Sequence, residues 1–178
     1  MTIGHDRVED DEQLYRGVKE KAPGGEICFR LDSGRVQFFS AAFNDREKRP
    51  SVDRAKLHHF NPHRTRVSEE DGIVMLLTSR VRQLGLVHVF DQRGKVRSEH
   101  AVDVIPDPKT GNPAHAVIIT QPPLTKDNAF KRLKDSLARL ATDAGWYVRP
   151  GTPMPRPRFL AFLRDAYQWV ISIVLRIK

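Results

Sequence analysis

The sequence predicts an α+β fold, in which a small mixed sheet with one packed helix is followed by a C-terminal helical extension. Three observations lead to this class. Short apolar runs separated by turn residues are typical of strands. A longer apolar run follows a helix-start signal at Ser68. Near the C-terminus an amphipathic run precedes an aromatic one, which predicts two further helices.

The predicted strands are short and lie on both sides of the packed helix. Before it stand "EQLYRGV", "ICFRL" and "RVQFF", and the turn residues Asp32, Ser33 and Gly34 between the last two predict a hairpin. After it stand "LVHVF", "AVDVI" and "HAVIIT". The last has four apolar residues in a row, which is typical of a central strand. We assign these strands to one α+β domain over residues 13–125.

The packed helix is predicted over residues 69–84, "EEDGIVMLLTSRVRQL". Ser68 can accept hydrogen bonds from the free N–H groups at a helix start, and the three acids after it suit the positive end of the helix dipole. Gly85 is expected to end the helix. Its many apolar residues predict that it is largely buried.

The remaining segments flank this domain. We predict a flexible lead over 1–12, a basic amphipathic helix over 126–145, a Pro-rich linker over 146–158 and a C-terminal amphipathic helix over 159–178. Charged residues interrupt the last segment, so we expect it to dock on its own domain, bind a partner or lie on a membrane surface, not to span a membrane. Its candidate partner-binding residues are Phe159, Phe162, Tyr167, Trp169 and Ile173.

The formal net charge is +8, and it is concentrated near the C-terminus. Residues 126–178 carry 11 Lys and Arg against 4 Asp and Glu, a net +7. Such a basic region favours an anionic partner: nucleic acid, an anionic lipid surface or an acidic protein. The single cysteine, Cys28, excludes a disulfide framework, and the acidic, polar N-terminus does not resemble a signal peptide. A cytoplasmic protein is predicted.

Histidines 58, 59 and 63 cluster among arginines in "HHFNPHR". Because cationic neighbours disfavour a divalent ion, we predict no metal site and expect an exposed loop that can contact phosphates. The candidate nucleic-acid contacts combine this loop with the predicted basic helix: Arg64, Arg66, Lys131, Arg132, Lys134 and Arg139.

A second polar set comes from blocks that are far apart in the sequence. Arg16, Asp53 and His115 are candidate catalytic residues, because a carboxylate can orient an arginine or a histidine in a cleft. Ser51 also suits a helix N-cap before a short helix in "VDRAKLHHF". Common phosphate-binding and dinucleotide motifs are absent, so no cofactor is predicted. The candidate ligand- or anion-binding residues are Arg16, Ser40, Ser51 and Arg54.

Four of these blocks together resemble a family of small bacterial proteins. "LYRGV", "FSAAF", "RPSVDRA" and "NPAHAVI" match, in this order, that family's Leu-Tyr-Arg start and its Ser-Ala-Ala-Phe, Ser-Val-Asp and Asn-Pro-x-His blocks. The resemblance covers about residues 13–120 and implies a bacterial source and one folded unit. A second resemblance, to ADP-ribosyltransferase-like folds, implies that Arg16 and Ser40 hold NAD, with Glu99 nearest to the late glutamate of those folds.

We favour a non-enzymatic binding module of a bacterial multi-component system, which contacts nucleic acid or a protein partner through its C-terminal third. One alternative is a small enzyme, ADP-ribosyltransferase-like or other, with a cleft built from Arg16, Asp53 and His115. Another is a peripheral membrane protein anchored by residues 159–178.

Overall fold

The computed structural model describes residues 6–22 and 25–155, so the helix predicted over 159–178 and its partner-binding candidates lie outside the described residues. The strands are β1 Gln13–Lys19, β2 Lys21–Ala22, β3 Gly25–Glu26, β4 Cys28–Arg30, β5 Val36–Phe38, β6 Ser51–Arg54, β7 Asp71–Leu77, β8 Leu86–Phe90, β9 Val96–Pro106, β10 His115–Gln121 and β11 Trp146–Val148. The α-helices are α1 Thr78–Arg82 and α2 Asp127–Ala144, and 3₁₀ helices cover Ser40–Phe43, Arg46–Lys48, Ala55–His58 and Pro62–Arg64.

The described residues form an α+β fold around a seven-stranded sheet with the order β11-β7-β1-β6-β10-β9-β8. Its neighbouring strands pair antiparallel. The hairpin predicted around Gly34 is confirmed as β4 and β5, and the central position predicted for "HAVIIT" is confirmed because β10 lies between β6 and β9. The predicted fold class is therefore confirmed.

The main core lies between one face of the sheet and α2. Phe130, Leu133 and Leu137 recur on one side of this helix and are buried in the same cluster as Leu14 and Ile118 of the sheet. Gly145 follows the last helical residue and donates its N–H to the Ala141 carbonyl. Because α2 contributes six buried residues to this core, it is the packed helix of the fold and belongs to the same folded body as the sheet.

The helix predicted over residues 69–84 is wrong for most of its length. Residues 71–77 form β7, which pairs with β1 along its whole length, and only Thr78–Arg82 are helical. Because β7 lies between β1 and β11 and both of its faces are covered, its apolar residues do not alternate and resemble those of a buried helix. The Asp71 carboxylate accepts the N–H groups of Val67 and Ser68, at 2.9 and 2.8 Å, so this segment is a turn and Ser68 caps no helix.

Residues 8–12 pack against the sheet, which differs from the flexible lead predicted over 1–12. Val8 is fully buried, and Arg82 donates to its carbonyl at 2.9 Å while also pairing with Asp10. Glu12 is buried against Arg54 of β6. These contacts fix the chain before it enters β1. In the part of the chain that the structure describes, no helix is long and apolar enough to cross a membrane.

Candidate functional site

The blocks that carry Arg16, Asp53 and His115 meet at the centre of the sheet, because β6 pairs with β1 on one side and with β10 on the other. The register places Tyr15, Asp53 and His115 side by side. Directly opposed residues have Cβ atoms about 5 Å apart. Since side chains alternate along a strand, Arg16 points to the other face of β1. The sheet therefore brings Asp53 next to Tyr15 and His115, and it separates Asp53 from Arg16.

Arg16 joins three segments of the backbone. Its Nε and Nη2 donate to the Ala42 carbonyl at 3.1 and 2.8 Å, and its Nη1 donates to the Ser51 carbonyl at 2.7 Å. Its Nη2 also lies 2.8 Å from Asp45 Oδ2. All three guanidinium nitrogens thus contact groups of the protein itself. Arg16 ties the Ser40–Phe43 turn and β6 to β1, and Asp45 supplies the anion that the sequence led us to expect in a ligand.

Asp53 is buried and fastens two loops. Its Oδ1 accepts a hydrogen bond from Asn112 Nδ2 at 2.8 Å, and its Oδ2 lies 3.3 Å from His58 Nε2. His58 ends the 3₁₀ helix after β6, and Asn112 lies in the loop before β10. The carboxylate oxygens therefore contact His58 and Asn112, where the sequence-based hypothesis expected Arg16 or His115.

His115 is also buried and holds the loop between β9 and β10. Its Nδ1 lies 2.8 Å from the Asp107 carbonyl oxygen and 3.3 Å from Asp107 Oδ2. The Nδ1–H that donates to the carbonyl fixes the orientation of the ring. This histidine positions a loop, and its Cα neighbour Asp53 forms a separate set of contacts.

The remaining ligand candidates have structural surroundings. Arg54, predicted to bind an anion, is buried and donates from Nε and Nη2 to both carboxylate oxygens of Glu12, at 2.7 and 3.0 Å. The short helix predicted after Ser51 is wrong for residues 52–54, since Ser51 begins β6 and helical turns start only at Ala55. Ser40 is half-buried at the start of a 3₁₀ helix.

The four blocks of the family resemblance contact one another. Arg16 of the first block holds Ala42 of the second and Ser51 of the third. Asp53 of the third accepts from Asn112 of the fourth, and the Arg54 N–H donates to the Ala114 carbonyl at 2.8 Å. These contacts form a network that holds the centre of the sheet to its loops.

A cavity of about 270 Å³ lies on the Asp53 face of this network. The hydroxyl oxygen of Thr65 is buried at its border and has no hydrogen-bond partner among the described residues. Burial, and after it the neighbouring Tyr147, raises the pKa of Tyr15 to about 12, so Tyr15 is neutral at physiological pH. The cavity is lined by Tyr15, Arg16, Gly17, Lys19, Ser51, Val52, Asp53, Thr65, Val67 and Asp71.

Two exposed aromatic side chains stand beside this cavity. The Tyr147 ring stacks on the Tyr15 ring, with centroids 5.6 Å apart, and Tyr147 is 50% exposed. The Tyr15 hydroxyl donates to the Phe60 carbonyl at 3.3 Å, and Phe60 is 61% exposed. Residues 59 and 60 both have left-handed backbone angles, φ 53° and 57°, which are uncommon outside glycine.

We call Phe60 and Tyr147, with the exposed basic side chains of Lys56, His59 and Arg64, the aromatic platform. Sequence analysis missed Tyr147, because only the pairing of β11 with β7 brings it beside Tyr15. The nearest signal for the aromatic platform in the sequence was Phe60 within "HHFNPHR".

The predicted nucleic-acid contacts fall into two groups on opposite faces of the sheet. Arg64 lies on the face of Tyr15 and Asp53, whereas α2 packs on the face of Leu14 and Val52. A single contact surface therefore cannot include both groups. On α2, Lys131 and Arg139 are exposed, Arg132 donates to the His88 carbonyl, and Lys134 donates to Asn44 Oδ1 at 2.7 Å.

Arg66, predicted as a nucleic-acid contact, has its guanidinium bonded to groups of the protein itself. It is buried, and its Nη2 donates to the carbonyls of Glu69 and Thr152 at 2.8 and 2.7 Å. Its Nη1 lies 3.1 Å from His63 Nδ1, and burial followed by this guanidinium lowers the pKa of His63. Arg66 therefore holds the chain after β11 against the loop before β7.

The three clustered histidines point in different directions: His58 contacts Asp53, His63 contacts Arg66 and His59 is exposed. Among residues 6–22 and 25–155, no three His, Cys, Asp or Glu side chains are placed to share a metal ion.

Glu99 is half-exposed on β9 and pairs with His88 at 3.2 Å. Two strands separate β9 from β1, and Glu99 lies seven residues along β9 from Pro106, the residue level with Arg16, so the two side chains are more than about 20 Å apart.

Comparison of the chain with protein-family models, with curated proteins and with solved structures found no match.

Proposed function

We propose that this protein is a non-enzymatic binding module for single-stranded nucleic acid, and that the aromatic platform is its base-contacting surface. The observation that carries the proposal is the pair of exposed rings, Phe60 and Tyr147, next to the buried Tyr15, which stacks on the Tyr147 ring and bonds to the backbone carbonyl of Phe60. Stacking on such rings contributes about 1–3 kcal/mol per base and needs unpaired bases, which favours a single strand over a duplex.

Charge supports the same assignment. Lys56 and Arg64 are exposed beside the rings and can contact phosphates while the rings contact bases. Residues 156–178 add five Lys and Arg against one Asp, which strengthens attraction to any polyanion. The sequence predicted contact through the C-terminal third of the chain. Tyr147 lies in that third, whereas Phe60 lies in a loop outside it, so the proposed contact surface is larger than predicted.

Fluorescence anisotropy of the full chain with a labelled oligo-dT of about twelve nucleotides tests the proposal. Phe60→Ala and Tyr147→Ala should each weaken binding about tenfold, while Tyr147→Phe should bind nearly as the parent does. Phe39→Ala is the matched control, since this exposed ring lies outside the platform. A duplex of the same length should bind more weakly than the single strand.

Comparing about 50 mM with about 200 mM salt separates the charge contribution from stacking. Lys56→Gln with Arg64→Gln should reduce the slope of log affinity against log salt by about 1.4, since each phosphate contact on a single strand contributes about 0.7, whereas the ring variants should leave the slope unchanged. The proposal fails if the parent chain does not bind the oligonucleotide, or if Phe39→Ala weakens binding as much as the platform variants do.

A further inference from the structure

β8 is an edge strand whose outer side carries free backbone groups. It stands at the end of the strand order and pairs only with β9, with Leu86 opposite Ala101 and Val87 opposite His100. The Val102 N–H donates to the Gly85 carbonyl at 3.0 Å, so residues 85 and 102 form a hydrogen-bonded pair. Because such pairs alternate along an antiparallel ladder, Val87 bonds to β9, and Leu86 and His88 direct their N–H and C=O groups outwards.

Two further contacts support this orientation. Asp107 donates its N–H to the His115 carbonyl at 3.0 Å, which assigns the odd-numbered residues of β9 to β10 and the even-numbered ones to β8. Arg132 Nη1 reaches the His88 carbonyl from outside at 2.9 Å. Among the described residues, the N–H and C=O of Leu86 and the N–H of His88 have no protein partner.

The side chains along this edge do not discourage pairing. Edge strands of monomeric proteins usually carry lysine or proline at their exposed positions, or a bulge. β8 has neither lysine nor proline, and its one register shift lies at its far end, between Val89 and Phe90, beyond Leu86 and His88. Here Leu86 is 48% exposed and Phe90 is 39% exposed. Grooves of about 170 and 240 Å³ run between β8 and α2, and both are lined by His88, Phe90 and Arg132.

The charge around the edge is positive. The Arg132 guanidinium lies 4.6 Å from the centroid of the Phe90 ring, and Lys126 lines one groove. The nearby acids are already engaged: Asp91 accepts the N–H groups of Arg93 and Lys95 at 2.8 and 2.9 Å, and Glu99 pairs with His88. A second copy of this edge would bring like charges together, whereas an acidic segment would complement them.

We propose that β8 is a docking edge for an extended acidic segment of another protein, which adds to the sheet beside Leu86 and His88. Backbone hydrogen bonds give the affinity in this mode of recognition, and side chains at alternate positions give the specificity. Apolar side chains of the partner cover Leu86 and Phe90, and its carboxylates pair with Arg132 and Lys126. The edge lies at the end of the sheet opposite β11, so the proposal is independent of the aromatic platform.

The probe is a blocked peptide of about six alternating Val and Glu residues, added to the full chain. Hydrogen exchange followed by NMR should show the amides of Leu86 and His88 exchanging about tenfold more slowly with the peptide than without it. A Val-Lys peptide should bind at least about tenfold more weakly, because its charges repel those of the edge. N-methylation of alternate residues should abolish binding in one register and leave it in the other.

Arg132→Gln should weaken binding of the Val-Glu peptide about tenfold, and Arg139→Gln, an exposed arginine on the same helix, should not. The proposal is overturned if the Val-Glu peptide does not bind, or if the Lys exchange or N-methylation in either register has no effect. It is also overturned if sedimentation shows that the chain alone dimerises and hydrogen exchange shows the amides of Leu86 and His88 protected in that dimer. Protection of these two amides by oligo-dT would overturn it as well.

Discussion

At the scale of single residues, Glu12 and Arg54 form a buried ion pair. Both side chains are buried, and the guanidinium forms two parallel hydrogen bonds with the carboxylate. Taking either charge out of water is unfavourable unless the other accompanies it. The pair therefore links the segment before β1 to β6, and each residue depends on the other.

We expect Glu12→Gln to lower the free energy of unfolding by about 3–5 kcal/mol, because Arg54 is left buried without its counter-charge. The double variant Glu12→Leu with Arg54→Met should recover most of that loss, since no charge remains buried. Urea denaturation measures both. Glu47→Gln is the control, because its 4.0 Å pair with Arg49 is exposed and should contribute less than about 1 kcal/mol. Equal effects at positions 12 and 47 would contradict the expectation.

Burial lowers the reactivity of the Cys28 thiol in the folded chain. Burial first, and then the charges of Glu20 and Glu26, raise the pKa of its thiol from 9.0 to about 11. Only the thiolate is nucleophilic, so at pH 8 iodoacetamide should alkylate Cys28 about 100-fold more slowly in the folded chain than in urea. Glu26→Gln should speed the folded reaction, whereas Asp32→Asn in the β4–β5 turn should not. Equal folded and unfolded rates would show the thiol to be accessible and unshifted.

At the scale of elements, β11 packs closely on β7 because β7 has a glycine, with no side chain, at the point of contact. A Cβ atom at Gly72 of β7 would lie 2.4 Å from the Trp146 ring and 2.7 Å from Pro150 Cδ. Glycine at this position lets the indole ring lie against the strand and contact Phe38 edge-on, with centroids 4.7 Å apart. The last strand of the sheet therefore depends on one residue of the strand beside it.

Gly72→Ala should displace Trp146 and lower the free energy of unfolding by about 1–3 kcal/mol, as overpacking does. In a Trp169→Phe background, Trp146 fluorescence should shift to the red. Gly17→Ala on β1 is the matched control, because its Cβ would meet only ordinary contacts, the nearest at 3.6 Å. That variant should be neutral or slightly stabilising. Unchanged fluorescence in Gly72→Ala would contradict the close packing of β7 on Trp146.

At the scale of the whole molecule, the sheet and α2 share one core. Leu137 is fully buried within it, and Thr142 Oγ1 accepts the N–H of Phe38 at 3.0 Å, so the helix also holds β5. Neither the helix nor the sheet can bury its apolar face alone. Their unfolding should therefore be a single cooperative event.

We expect far-ultraviolet circular dichroism and Trp146 fluorescence to give coincident urea transitions, because the two probes report on parts of one core. Leu137→Ala should shift both midpoints together and cost about 2–5 kcal/mol. Arg139→Ala, an exposed position one half-turn away, should leave both midpoints nearly unchanged. Separate transitions for the two probes would show that α2 folds independently of the sheet.

The sequence by itself determined what local patterns encode. Gly34 marks the β4–β5 turn, the spacing of Phe130, Leu133 and Leu137 marks α2, and the apolar run after His115 marks a central strand. These signals depend on neighbours within a few residues, so they survive without knowledge of the fold. The same patterns wrongly predicted a helix where β7 lies, because burial on both faces removes the alternation that identifies a strand.

Only the tertiary structure decided what the polar residues do. The sequence singled out Arg16, Asp53, Arg54 and His115 as a group, but their partners, among them Ala42 and Glu12, are brought to them by strand register and loop packing. The same long-range pairing buries Arg66 and sets Tyr147 beside Tyr15, near Phe60. A side chain's availability for a ligand depends on what the fold has already placed against it, and that is a property of contacts distant in sequence.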